Sequence, residues 1–367
     1  MSADPQWHDG TIEADDELGP EIDTALMERV SALVALAAKD DKGAAAELAA
    51  IGDAALDRML FALTDTHLSL EERSRIGTLI GRMGDPRLAD EYKLGPFVRI
   101  PAGKFVMGAE PLEPDAETHA LPKHEVDVPS YAISRFHVTN GAFAEFVASG
   151  GYEDDSAWSD DGAAWRGKAG ATEPKFWSKA GARPNHPVVG ICWFEAQAYC
   201  RWLTVKLGEA GELRPMESVR LPTEAEWEKA SRGGRSLDRR SGRPNPMPER
   251  RYPWGDAYVV GQCNTMEAGL AGTSPVGMFL EGQSPYKLDD MGGNVMDWCS
   301  SRPDAYEYDA KDGREDPSGG PRVYRVLRGG AWPMVNDSAR CAYRHRNKAG
   351  YRGGAVGMRL VKGHAPA

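Results

Sequence analysis

From Phe97 to Lys362 glycine, proline, aspartate or asparagine interrupts the chain every few residues, yet all but one of its ten tryptophans fall in that stretch. Apolar runs this short cannot build long helices or wide sheets, while large indoles need deep burial. The pattern requires an irregular α+β domain in which long loops wrap a few short elements. Residues 21–92 have the opposite texture: Ala/Leu-rich, nearly free of aromatics and without proline until Pro86. Leu26, Val30, Leu33, Val34 and Ala37 recur at helical spacing, as do Leu48, Ile51, Ala55, Leu56, Met59 and Leu60 in a second segment. A third opens at Ser69 with Glu72 three residues on, a capping-box pattern, and carries Ile76, Leu79, Ile80 and Met83 before GDP stops it.

Within the loop-rich part, VRIPAGKFVMGA reads as two strands around Pro101-Ala102-Gly103, and PKHEVDVPSYAISRFHVT as two more. NGAFAEFVASGG is a short helix capped by Asn140, CWFEAQAYCRWLTVKLG is a second, and PTEAEWEKASRGG a third with Pro222 in its first turn. Glu224, Trp227 and the arginine of RGG are read as fixing that third helix against loops, since a buried carboxylate needs an arginine or a row of backbone donors.

With 44 basic against 55 acidic residues the chain carries a net charge of −11, and no long Lys/Arg run offsets it, so nucleic acid is not an expected partner. The first 20 residues are acidic and are expected to be flexible. They lack a basic-then-apolar leader, and no apolar run approaches the roughly 18 residues of a membrane span, so a cytoplasmic protein that does not enter the membrane is expected. Cys192, Cys200, Cys263, Cys299 and Cys341 lie far apart with no CxxC pair, which suits reduced thiols. No histidine pair stands at ligand spacing.

LDDMGGNVMDW, residues 288–298, concentrates hard oxygen donors: the side chains of Asp290 and Asp297, with backbone oxygens freed by Gly292-Gly293, offer what calcium prefers. The competing reading is that Asn294 and Asp297 satisfy turn amides.

Nine stretches, IPAGKFVMG, HPVVGICWFEAQAYCRWL, RLPTEAEWEKASRGG, YPWGD, GTSPVGMF, DDMGGNVMDW, RVLRGGAW, RCAYRHRN and VGMRLV, occur in the order seen in the formylglycine-generating-enzyme family, also called sulfatase-modifying-factor domains. On these motifs residues 97–362 resemble that family. The resemblance implies an α+β, C-type-lectin-like fold elaborated by loops; residues before about 92 lie outside it, the short helices of 21–92 separately resembling a HEAT-type α-solenoid fragment, and residues 363–367 form a tail. It also implies structural calcium at Asp290, Gly293, Val295 and Asp297. A second calcium loop of the family matches Asn264 and Thr265, but its downstream aspartate is replaced by Ala268, leaving Glu267.

The family's oxidases hold copper(I) between two cysteines and convert a substrate cysteine to formylglycine. Here the corresponding interval, GGAWPMVNDSARCAYR, is shorter and lacks both, and the serine bordering that site is Ala331. Cys341 and Cys200 match halves of family disulfides whose other halves are Ser231 and Leu360, so both are expected to be buried free thiols. A branch of the fold that joins sulfur to histidine derivatives takes its iron from an HxxxHxE pattern on an appended helical domain; the N-terminal region here has only His67 after His8. The closing segment is similar to the variable region of ligand-binding proteins diversified by retroelements. Trp332, Met334, Asn336, Tyr343, His345, Asn347 and Tyr351 are its display candidates, able to take a protein or small-molecule ligand. Arg340, Arg344 and Arg346 have a plainer role open to them, as partners of the acidic stretch DAYEYDAKDGRED. The expectation is a non-oxidase binding module with no catalytic residues, its helical domain offering a second protein-contact surface. The alternative is an oxygen- or metal-dependent enzyme whose site lies in the same C-terminal cleft without the cysteine pair.

Overall fold

A computed structural model describes residues 24–40, 42–111, 118–238 and 242–364, so the acidic segment 1–20 lies outside the described residues. Four helices come first: α1 (Thr24–Ala37), α2 (Lys42–Ile51), α3 (Asp53–Leu63) and α4 (Leu70–Met83). The second periodic segment is thus two helices, because Gly52 at φ 77° turns the chain between them. Ser69 and Glu72 make the reciprocal capping box that opens α4. The apolar faces of all four close on one another and on Met278 and Phe279 of the loop-rich part.

That junction is tight. Arg73, buried on α4, donates to the carbonyls of Leu63 (2.7 Å) and Met278. A Cβ at Gly77 would stand 2.7 Å from Pro275, and one at Gly81 would stand 2.3 Å from the Asn185 side chain, so glycine is what lets α4 lie directly on these loops. Asn185 in turn donates to Gly77 O and to Asp85. Burial raises the Asp85 carboxyl, but the hydrogen bonds and charge of Arg87 outweigh it and hold it below its usual range.

From Phe97 on, ten short strands form three sheets. In the first, β1 (Phe97–Ile100), β4 (Tyr131–Ser134), β10 (Val361–Gly363) and β5 (Ser218–Arg220) lie in that order, so the closing strand sits beside an opening one, with Val361 opposite Ile133. In the second, β2 (Gly103–Met107) pairs with β3 (His124–Val128). The third runs β8 (Arg344–Lys348), β7 (Tyr324–Arg328), β6 (Met296–Trp298), β9 (Val356–Gly357), with β6 and β9 parallel. Three helices pack on them: α5 (Asn140–Ala148), α6 (Asp160–Ala169) and α7 (Trp193–Glu209), joined by an aromatic cluster in which Phe143 stacks on Tyr199 at 5.2 Å. The cap of α5 is Thr139, whose hydroxyl accepts from Ala142 N, rather than Asn140. Asn140 already lies in the first turn, and its amide donates to Arg183 O.

Helix α8 (Glu224–Arg232) is buried along its whole length although five of its nine residues are ionisable. Its cap is Thr223, boxed with Glu226, so Pro222 precedes the helix instead of entering it. Each charge finds a partner. Glu224 accepts from Arg344 at 2.6 and 2.8 Å, Glu226 from Arg220, and Glu228 from Arg328 with Arg232 at 3.0 Å. Burial raises the Glu224 carboxyl, and Arg344 and Arg328 more than offset it, leaving it below the usual carboxylate range. Lys229 donates to the carbonyls of Pro101 and Gly103 at 2.7 Å, while burial pulls its pKa down to about 8. Arg344 pairs with Glu224 and also reaches the acidic stretch, donating to Asp304 O at 3.1 Å and lying over the Tyr306 ring, whereas Arg346 lies over the Tyr324 ring and Arg340 stands 3.9 Å from Asp337.

His186 is buried, held between Thr78 Oγ1 (2.9 Å) and Thr273 Oγ1 (3.0 Å). Burial, with the charges of Arg183 and Arg82, lowers its pKa to about 3. A base lowered in the folded state binds its proton only in the unfolded chain between pH about 6.5 and 3. This group therefore removes stability as pH falls through that window, at about 1.4 kcal/mol per unit. His186→Gln is expected to reduce the slope of unfolding free energy against pH by one proton between pH about 6 and 4 in urea titrations. An unchanged slope refutes the buried neutral imidazole.

Candidate functional site

Two parts of the loop-rich region carry the predicted residues. The first is a surface around Gly353-Gly354. Trp332, placed by its amide donating to Asn294 O, directs its indole NH toward Gly354 O at 3.5 Å, and the Tyr351 ring lies against Gly353. Phe176, held at φ 71°, lies near Gly354, with Lys175 Nζ 5.1 Å from its ring centre. Met334 and Asn336 follow on the same loop. Met334 O accepts from Met266 N, and Asn336 N donates to Glu267 at 2.9 Å. Met266, Val335, Phe176 and Tyr351 stand 57%, 52%, 51% and 44% exposed, so apolar and aromatic side chains are open to solvent here.

Tyr343 leads into β8, and His345 and Asn347 lie on that edge strand, facing across to Leu327 and Arg325. They are spread along the sheet edge, whereas Trp332 and Tyr351 meet around one glycine pair. The residues missed by sequence are Phe176, Met266 and Val335. Their signal was weak, because a single exposed apolar residue in a loop is unremarkable until a neighbour from a distant segment stands beside it.

The second part is the Asp290–Asp297 loop. Asp290 (φ 54°), Gly293 (φ 81°) and Asn294 (φ 62°) all adopt left-handed backbone, which coils the loop against Asn264, whose carbonyl accepts from Asn294 N at 2.8 Å. Asn294 spans to Ser274, accepting from its amide and donating to its carbonyl, which is the turn-bracing role. Asp297 goes elsewhere. Its Oδ2 accepts from Trp227 Nε1 at 2.9 Å and Arg359 Nε at 3.3 Å, and His137 Nε2 is 3.5 Å from its Oδ1. Gly293 N is taken by Gly329 O at 2.6 Å, and Thr265 Oγ1 joins Tyr258 to Glu267.

The donor set therefore fits calcium in part. Asp290 Oδ1, Asn264 Oδ1 and Asp297 Oδ1 are buried oxygens that find no hydrogen-bond partner among the described residues, as a hard cation would require. Burial, then the charge of Asp289, pushes the Asp290 carboxyl up to about 7. Asp297 is engaged through Oδ2 alone, by Trp227 and Arg359. Among the described residues no three His, Cys, Asp or Glu side chains cluster as a metal centre.

All five cysteines are buried and unpaired. Cys341 Sγ lies 3.2 Å from Ser231 Oγ, its expected substitute partner, and Cys200 is buried in the same large core cluster as Leu360. Burial raises every one of them, Cys200 and Cys263 to about 12, and Glu195 adds to the effect at Cys192. These thiols favour the protonated form, unlike reactive thiolates. On the helical side, His67 stands exposed in the turn before α4. No helix among the described residues is long and apolar enough to cross a membrane.

The family model for a sulfatase-modifying factor enzyme 1-like domain matches residues 85–364. A hercynine oxygenase of Mycolicibacterium thermoresistibile is 33% identical over 332 residues, spanning 83% of this chain and 69% of its own. A formylglycine-generating enzyme of Streptomyces coelicolor is 33% identical over 314 residues, 72% of this chain and 88% of its own. The structure of PvdO from Pseudomonas aeruginosa superimposes with a TM-score of 0.51 at 25% identity, covering 72% of this chain and 93% of that one.

Proposed function

Because the chain belongs to the sulfatase-modifying-factor, or formylglycine-generating-enzyme, family, with its α+β C-type-lectin-like fold, we propose that it is a member working by recognition rather than by cysteine oxidation. The observation that carries this is the state of the thiols: five cysteines, all buried, none in the segment from Gly329 to Arg340. A copper(I) site needs adjacent accessible thiolates, and this chain offers none there.

Recognition is assigned to the surface around Gly353-Gly354. Trp332, Tyr351 and Phe176 provide rigid aromatic area, and Met334 and Asn336 extend it toward Met266. The ligand class is an extended peptide or protein segment with apolar side chains, since the exposed area is apolar and no cluster of charges dominates it. A cation such as calcium would be held by Asn264 and Asp290, where it would brace two loops against each other; it supplies rigidity and no chemistry.

A selection from a displayed random-peptide library tests the surface. Trp332→Ala and Tyr351→Ala are expected to weaken the selected peptides by about 2 kcal/mol or more each, roughly 30-fold, while shifting unfolding little because both residues are partly exposed. Peptides that bind equally to both variants contradict the assignment.

The hercynine oxygenase likeness, reaching over 83% of the chain, favours a second reading as a metal-dependent enzyme acting in the same cleft. Stoichiometric iron in the native protein, with oxygen uptake on a thiol substrate, would select that reading instead.

A further inference from the structure

Between α2, α4 and the loops at 183–186 and 270–273 lies a cleft of about 330 Å³ whose walls gather Lys42, Arg75, Arg82 and Arg183 against, among the described residues, the one carboxylate of Asp40. The chain as a whole carries −11, so this local excess of positive charge runs against its composition. Arg75 shares its charge with the exposed Glu71 at 2.7 Å. Lys42 and Arg183 make no side-chain hydrogen bond or ion pair among the described residues.

The base of the cleft is built from groups that add no negative charge. Thr78 Oγ1 donates to Ser74 O at 2.8 Å, so it accepts from His186 Nε2, which leaves His186 Nδ1 to accept the Thr273 hydroxyl. The imidazole is neutral and spans from α4 to the 270–273 loop. Ala37, Ala45, Leu79 and Leu270 complete an apolar wall.

We propose that this cleft binds a small phosphorylated metabolite, its phosphate seated between Arg183, Arg82 and Lys42 and its organic part against the apolar wall. Guanidinium groups match phosphate oxygens two at a time, which a lone carboxylate ligand would use less fully. The volume is near the lower limit of small-molecule sites, about 300 Å³, so the ligand is compact. A nucleic-acid strand is disfavoured because the cleft is compact, about 330 Å³, and its basic groups are gathered at one opening rather than along a stripe that a polyanion could follow. The site exists only because the helices sit on the loop-rich part. Ligand binding would therefore stabilise that junction, whichever way the surface at Trp332 is used.

Isothermal titration of the full chain with inorganic phosphate and pyrophosphate tests this. Saturable one-site binding is expected, tighter for pyrophosphate, weakening as salt rises. It should fall at least about tenfold in Arg183→Gln and in Lys42→Gln, with thermal unfolding of both variants unchanged because both side chains are exposed. The proposal is overturned by no saturable heat up to about 10 mM, by unaltered binding in the double variant, or by single-stranded RNA binding more tightly than pyrophosphate.

Discussion

Replacing Arg328 by methionine is expected to lower the unfolding free energy by about 3–5 kcal/mol. Arg328 is completely buried, and its guanidinium contacts Glu228, Glu224 at 3.5 Å, and the carbonyls of Cys341 and Tyr343 at 2.8 Å. Methionine fills much of the space but leaves Glu228 with only Arg232 and Gly108 N, and strips two carbonyls of their donor. An uncompensated charge in that interior is the costly outcome, more so than the loss of the pair itself. Thermal unfolding is expected to fall by roughly 10 °C, on the scale of about 2–4 °C per kcal/mol for domains of this size. Arg328→Met with Glu228→Gln should recover part of the loss, since the two residues share one network. A single variant as stable as the parent would contradict the buried ion-pair network around Arg328.

Gly293→Ala is the second large effect, at about 2–5 kcal/mol from two sources acting together. Its φ of 81° strains any residue with a side chain, and a Cβ there would lie 2.6 Å from the backbone oxygen of Asn264. That neighbour cannot swing aside as a side chain would, so the loop must lift away from Asn264. The bond from Gly293 N to Gly329 O would open with it, loosening the segment that places Trp332. The same substitution would part Asn264 from Asp290, so any stabilisation by added calcium in the parent should vanish in the variant. Urea unfolding with and without calcium measures both effects. A variant within a few tenths of a kcal/mol of the parent would contradict the close approach.

Local signals were legible in the sequence. The Ser69–Glu72 box, the short strands around Pro101 and the pairing of Cys341 with Ser231 follow from a few adjacent residues or from motif order. The start of α5 was misread because Thr139 and Asn140 are both good caps, and only the tertiary bond from Asn140 to Arg183 O decides between them. What could not be read were partners far apart in the chain. Glu224 meets Arg344 across 120 residues, and one carboxylate oxygen of Asp297 meets Arg359 across 62. The surface at Gly353-Gly354 was half legible: Trp332 and Tyr351 were named from the closing segment, whereas Phe176 arrives from a loop that carries no motif. The basic cleft draws on four separate segments, so its charges come together only in the folded chain.

The central claim is that this member of the family has no copper-dependent cysteine oxidation. Incubating the purified full chain with copper(I), removing the excess, and following both bound copper and oxygen uptake with a cysteine-containing peptide addresses it directly. The account predicts no stoichiometric copper, no oxygen consumption above the protein-free control and an unaltered peptide cysteine. One tightly held copper per chain together with a peptide aldehyde would contradict it.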